Sequence, residues 1–463
     1  MEPMQNYRSA IYGVFSDQII KPTQRFFRKE AASSLLLLAA VIIALVWANF
    51  PVFASYHHIW HTDIGFSLGT MAVSKSLIHW INDGLMALFF FTVGLEIKRE
   101  LLVGELSSPQ KALFPVVAAL GGILVPGIIY ALFNYNTPSA SGWAIPMATD
   151  IAFAMGAIAI FGNKLPMGLR VFLAAFAIAD DLGAVLIIAL FYTKEIVFSN
   201  IAICGILVLL LGLVNFLWIR WTVVYAVLGI LIWIAVLGSG LHPTVAGIVV
   251  SLFIPAQGKY DTDLFVQKVK ERLNAFQCSE TSCGFSILLN EDHLNAVQGL
   301  ELDCHNVETP LQRMLHALHP WVAFLILPVF ALGNSGLILH ELNISEAVSH
   351  PVTRGIILGL FFGKPIGITL FSYLAVKTGI AVLPQGIRWS HIFGASMLGG
   401  IGFTMSLFVA GLSFTSPELI NNAKFAILFG SVISAIAGIV FLMAYGTAGS
   451  SNHNPQKTGG NDS

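Results

Sequence analysis

Residues 171–188 read VFLAAFAIADDLGAVLII, with Asp180 and Asp181 side by side in the middle of an otherwise apolar run. A charge at the centre of a membrane-spanning helix costs roughly 2.5–3.5 kcal/mol on insertion scales. Such a pair persists only where a partner, a proton or a water-filled cavity meets it. The rest of the chain leaves little room for a soluble reading. Of its 463 residues, 56% are hydrophobic and 11% are charged, and the mean hydropathy is +0.78. A soluble domain carries about 25% charged residues. Lipid must therefore solvate most of the perimeter, and the bilayer is the first partner. The net charge of -1 gives no reason to expect nucleic acid or an acidic partner.

A spanning helix needs about 20 mostly apolar residues. Outward from 168–192, which holds the acid pair, that window finds earlier segments at 31–50, 78–97, 112–133 and 142–161. Later ones fall at 200–219, 221–238, 243–256, 318–339, 354–376, 391–412 and 424–445. The expectation is an all-α polytopic membrane protein of about twelve helices. The stretch at 243–256 is short for a span. Residues 1–30 are too long and mixed for a cleaved signal and read as a cytoplasmic segment ahead of a start-transfer helix.

Lysine and arginine set the orientation. With the N-terminus inside, the outer ends hold Lys75, Lys194, Arg354 and Lys424, Lys364 sits mid-helix, and the rest of the 24 basic residues collect on the inner side. Both termini are then cytoplasmic. The domain reading follows: helices 1–8 over 31–256, a cytoplasmic polar insert at 257–317, helices 9–12 over 318–445, and a disordered cytoplasmic tail at 446–463. Residues 51–77 are expected to form an outer hairpin, and 264–276 an amphipathic stretch inside the insert.

Four cysteines make no disulfide framework. Cys278, Cys283 and Cys304, with His293 and His305, raise a zinc reading, but their spacing fits ligand pairs poorly. Free cytosolic thiols are the better reading, and no cofactor is expected.

The charges at membrane depth are Asp83, Asp150, Asp180, Asp181 and Lys364. Four acids and one base cannot all neutralise one another, so some hold protons or a cation. Neighbouring residues of a helix point about 100° apart, so Asp180 and Asp181 can line one cavity wall. Such a pair titrates as a coupled unit and can hold either protons or a hard cation that prefers oxygen ligands. Competition for one site is the simplest chemistry of cation/proton exchange.

Pro146 interrupts the span just before Thr149 and Asp150. Gly399, Gly400 and Gly402 interrupt a second span. The first break lies in the middle of helices three to five and the second in the middle of helices ten to twelve. Broken segments at matching positions of two halves point to a transporter's site. Half-helix ends carry partial charge, which Asp150 and Lys364 are suited to balance, although Lys364 has Asp180 as an alternative partner. Glu96, Arg99 and Glu100 cluster at the cytoplasmic end of the second span, which also holds Asp83. Histidine is the side chain that can change charge near neutral pH, which makes His242 and His316 candidates for a pH response, though each also reads as structural.

The ordered segments VGLEIKREL, WAIPMATDIAFA, AIADDLGA, LHPTVAG, FFGKPIGI and GGIGFTMS closely resemble the NhaA-type sodium/proton antiporters over most of 30–445. The resemblance implies inverted-topology repeats over helices 3–5 and 10–12, a midplane site and a bacterial inner membrane. It implies that Asp180 and Asp181 bind sodium and protons, with Thr149 and Asp150 in the unwound segment beside them and Lys364 as the embedded lysine. Asp83, Glu96, Arg99, Glu100, His242 and His316 fall to the cytoplasmic funnel and pH response. Two protons for one sodium, acceptance of lithium, and a role in pH and sodium homeostasis are further implications; a homodimer stays open. The chain departs from the compact form of the family in its long 257–317 loop and in Leu315, where an acid often stands. Among competitors, a sodium-coupled organic-anion symporter would want arginine near the acids. A channel would conduct passively, and an intramembrane aspartyl protease would need a Gly-x-Gly-Asp motif that is missing. The protein is not expected to be an enzyme.

Overall fold

The structure is a computed structural model that describes residues 21–50, 55–68, 71–193, 196–274, 291–339, 343–384 and 386–446. It is mainly helical, because in hydrocarbon a backbone must satisfy its own polar groups. The first long helices are α1 (Lys21–Asn49), α2 (Leu77–Val103) and α3 (Pro109–Asn134). A 3-10 turn at Ala140–Met147 then leads, after a break, into α4 (Ile151–Ala159). Next come α5 (Met167–Phe191), α6 (Phe198–Phe216), α7 (Thr222–Leu237) and α8 (Thr244–Phe253). The insert supplies α9 (Thr262–Asn274) and α10 (Glu291–Val307). The chain continues with α11 (Pro310–Asn334), α12 (Pro351–Lys377), α13 (Trp389–Gly399), α14 (Phe403–Ser413) and α15 (Pro417–Gly446).

Nine helices among the described residues are long and apolar enough to cross a membrane. Counting α13 and α14, bent by 45° at their break, as one span makes ten. The two further segments expected from sequence are shorter: α7, and α8 at Thr244–Phe253, which reaches only about 15 Å against a hydrocarbon core of about 30 Å. The all-α expectation needs one correction. The expected hairpin is a two-stranded antiparallel ribbon, β1 (Asp63–Leu68) and β2 (Met71–Ser76), with Asp63 opposite Ser76 and Leu68 opposite Met71. The tail after 446, with its expected disorder, lies outside the described residues, as do Cys278 and Cys283; Cys304 is exposed.

The chain forms two compact units. The larger comprises the described residues within Met1–Phe89, Glu100–Thr193 and Val322–Ser463. Its central contact is between α3 and α12. Gly355, Gly359, Gly363 and Gly367 recur at every fourth position of α12 and so share one face. A Cβ on Gly367 would fall 2.1 Å from the Gly121 carbonyl oxygen, and one on Gly363 would fall 2.8 Å from Pro126 Cα. The two backbones therefore touch, the approach that small residues permit between membrane helices. Lys364 follows the third of these glycines and is turned about 100° away from that face.

The smaller unit takes Phe90–Arg99 and Lys194–Trp321. Leu211, Tyr225, Ile232 and Ile254 are fully buried at its centre, joined by Leu315. The apolar residue where the resemblance expects an acid is thus part of the core. Lys98 closes the end of α8 by donating to the Leu252 and Ile254 carbonyls, each at 2.6 Å. The insert is anchored at its base: Asn306 O accepts from Lys259 N at 2.7 Å and from Tyr260 N at 3.0 Å. Farther out, Arg272 pairs with Asp303 at 3.4 Å.

Candidate functional site

The two interrupted segments lie side by side in the larger unit and run antiparallel. Ser141 Oγ donates to Ser413 O at 3.0 Å near one end. Ser406 Oγ donates to Ile145 O at 2.8 Å farther in, and Asp150 N donates to Ile401 O at 2.6 Å at the break. Tyr192, just beyond α5, adds to the first of these ties. Its hydroxyl donates to Ser141 O at 2.7 Å and accepts from Ser413 Oγ at 3.0 Å.

Proline at 146 and the glycines at 399–402 prevent each helix from carrying its hydrogen-bond ladder through the break. Both α4 and α14 therefore begin at the crossing with unsatisfied N–H groups. Asp150 serves both. Its Oδ1 accepts from Phe153 N at 3.2 Å, capping α4. Its Oδ2 accepts from Thr404 N at 3.0 Å, and the Thr404 hydroxyl donates to the same oxygen. The carboxylate thus sits at two helix N-termini, where the partial positive charge favours an anion. Ser431 Oγ accepts from Gly402 N and Phe403 N, each at 3.2 Å, and completes the start of α14.

Beside this crossing lies the buried ion pair. Lys364 Nζ donates to Asp180 Oδ2 at 2.7 Å and to Thr149 Oγ1 at 2.9 Å. Thr149 Oγ1 in turn donates to Gly399 O at 2.9 Å, at the carboxyl end of α13. The lysine is fully buried, and Asp180 and Asp181 are each 1% exposed. Lys364 Nζ also stands 5.7 Å from the ring of Phe176, one turn before Asp180 on α5. Asp180 Oδ1 is buried and has no hydrogen-bond partner among the described residues, a condition under which an oxygen favours a proton or a cation. Of the two partners open to Lys364 in the sequence, Asp180 is the one in direct contact.

Thr149, Asp150, Asp180 and Lys364 therefore come together, with Asp181 the neighbour of Asp180 on α5. The other sequence candidates do not join them in one cluster. Asp83 pairs with Lys75 of β2 at 2.9 Å, at the hairpin end of α2. Glu96 and Glu100 are half-buried and Arg99 is exposed; Glu100 Oε2 accepts from Glu105 N at 3.0 Å. His242 Nδ1 lies 2.8 Å from Thr244 Oγ1 at the start of α8, and His316 is exposed on α11.

Sequence reasoning passed over Thr404 and Ser431. Thr404 was legible, as the first polar side chain after the glycines of the second break. Ser431 sits in an apolar helix with no pattern to mark it.

A family model described as Na+/H+ antiporter 1 matches residues 24–442. The chain is 46% identical over 433 residues to Na(+)/H(+) antiporter NhaA 1 of Saccharophagus degradans, covering 93% of each chain. It is 47% identical over 434 residues to the Na(+)/H(+) antiporter NhaA of Koribacter versatilis, covering 94% of this chain and 93% of that one. A third relative, the Na(+)/H(+) antiporter NhaA of Wolinella succinogenes, is 45% identical over 421 residues, covering 90% and 92%. Among solved structures, the sodium proton antiporter MjNhaP1 from Methanocaldococcus jannaschii aligns over 97% of this chain and 98% of its own. Its TM-score is 0.41 at 12% identity, too low to add to what the helices themselves display.

Proposed function

The chain belongs to the Na+/H+ antiporter 1 family, and from that premise we propose that Asp180 and Asp181 carry sodium and protons alternately across the membrane. The observation that carries this reading is the buried contact of Lys364 with Asp180 beside two crossed, interrupted helices. Burying a paired charge is costly, and a carboxylate that only needed neutralising would not require a second acid next to it. Lithium, a similarly hard cation, is accepted by the same oxygens.

The charges give a stoichiometry. In the proton-loaded state, Asp181 holds a proton and Asp180 is neutralised by the ammonium of Lys364. Sodium enters by taking the oxygens of Asp180 and Asp181. The Asp181 proton leaves, and Lys364, having lost its counter-charge to the cation, gives up a second proton. Two protons thus leave for one sodium, so each cycle moves one net charge. Thr149 keeps contact with Lys364 and the end of α13, while Asp150 holds the starts of α4 and α14 together. Alternating access then moves the crossed segments around a fixed site. With α7 and α8 counted as crossings, the spans total twelve in two inverted repeats, both termini cytoplasmic, in a bacterial inner membrane. Sodium export there serves pH and sodium homeostasis.

The test is exchange in proteoliposomes with a trapped pH dye and sodium as the sole added solute. Wild type should move protons on sodium addition, and Asp180→Asn and Asp181→Asn should each abolish the signal while remaining inserted. Near-wild-type exchange in both variants overturns the site. Exchange that requires an added organic anion would instead mark a symporter.

A further inference from the structure

The first turn of α13 is capped by a histidine. Arg388 is the N-cap and His391 the third residue of the helix, the place where a capping box sets Glu or Gln to accept from the N-cap N–H. His391 Nδ1 accepts from Arg388 N at 3.1 Å. The other ring nitrogen, Nε2, lies 2.9 Å from the Gly446 carbonyl oxygen at the end of α15. A backbone N–H only donates and a carbonyl oxygen only accepts. These two partners therefore fix a neutral ring with its proton on Nε2. An imidazolium carries N–H on both nitrogens and has no lone pair for Arg388 N.

The ring is 5% exposed, so hydration does little to offset the lost bond once it is protonated. The charged groups at this end of the elements packed on α13 are all cations: Lys164 ahead of α5, Arg170 in its first turn, Lys377 at the end of α12, and Arg388 itself. Tyr373 of α12 and Tyr445 of α15 add only phenols. Glu418 is at the opposite end of α15. Asp150, Asp180 and Asp181 stand towards the far end of α13, roughly 12 Å along the helix at about 1.5 Å per residue. Arg388 is exposed, so a proton reaches the ring where the cap meets solvent.

The capped helix leads straight to the proposed ion site. α13 lies directly along α15: Gly394 backs onto Leu442, and a Cβ on Gly438 would fall 2.7 Å from Leu398 Cδ2. At its other end α13 offers Gly399 O to Thr149, which contacts Lys364. We infer that His391 is a positioning residue for exchange, a latch between the start of α13 and the end of α15 that holds only while its ring is neutral. Protonation removes the acceptor for Arg388 N and frees the first turn of α13. The latch is closed at high pH and opens as pH falls, and the hold of Gly399 on Thr149 loosens with it.

The inference rests on the exchange reading above, so it takes two measurements, of which only one needs transport. Full-length wild type, His391→Gln and His391→Ala are assayed in proteoliposomes from acid to alkaline pH. Sodium is kept saturating, so that competition for the site does not set the rate. Hydrogen–deuterium exchange of residues 388–395, corrected for its intrinsic pH dependence, follows the latch itself. Glutamine accepts and donates as the neutral ring does and has no proton to gain. His391→Gln should match wild type at alkaline pH and exceed it at acid pH, by up to about tenfold per pH unit where one proton opens the latch. His391→Ala should be slow at every pH. The start of α13 should lose protection on acidification in wild type and keep it in His391→Gln. Superimposable pH profiles for wild type and His391→Gln, or wild-type protection that ignores pH, overturn the inference. Protection that follows pH in a wild type without any exchange supports the latch and sinks the exchange reading instead. If His391→Ala fails to insert, His391→Gln decides.

Discussion

Lys364 is fully buried, held by Asp180 Oδ2 at 2.7 Å and Thr149 Oγ1 at 2.9 Å. Removing one member of a buried pair leaves the other uncompensated, at a cost of about 3–5 kcal/mol. Lys364→Ala is therefore expected to lower Tm in detergent and to move the pH profile of exchange, since one of the two exchanged protons is assigned to this amine. An unchanged Tm together with an unchanged profile would remove both roles. Asp150 differs in kind. Its partners are the Phe153 and Thr404 N–H groups and the Thr404 hydroxyl, so it acts as the shared cap of two helices.

At the scale of elements, the face of α12 that carries Gly355, Gly359, Gly363 and Gly367 sets how near Lys364 comes to α5. Gly367 meets Gly121 backbone to backbone, with 2.1 Å from an added Cβ to the facing carbonyl oxygen. Gly367→Ala must push α3 and α12 apart. Overpacking of this kind costs about 1–3 kcal/mol, and the variant should also lose turnover as the Lys364–Asp180 contact shifts. Gly411 in α14 has nothing within 4 Å of its added Cβ, so Gly411→Ala should leave Tm near wild type. Equal Tm values for the two variants would show that close approach is not what holds these helices.

At the scale of the whole molecule, the proposed sharing of one pair of acids by two kinds of ion would make sodium and protons competitors. The apparent KM for sodium should therefore rise as pH falls. The rise is about tenfold per pH unit where one proton competes and steeper where two do. Exchange assayed at several fixed pH values checks this, and a KM independent of pH would require separate sites for the two ions.

The sequence by itself determined a membrane protein, most of its spans, the acids at membrane depth and the two interruptions. Each of these is local: an apolar run, a proline, a group of glycines. It also held the glycine spacing of α12 and the polar Thr404, visible once their purpose was known. Only the tertiary structure decided which charges meet. Lys364 and Asp180 are 184 residues apart, and Asp150 and Thr404 are 254 apart. Their contacts depend on the crossing of backbones at Gly121 and Gly367 and on two broken helices lying antiparallel. The same limit hid the partner of Asp83, because a charge within a span does not reveal its ion pair until Lys75 is folded against it. It also hid the start of α11 at Pro310, where an amphipathic turn precedes the apolar run. Local chemistry fixes what each residue needs; the packed backbone fixes what each can reach.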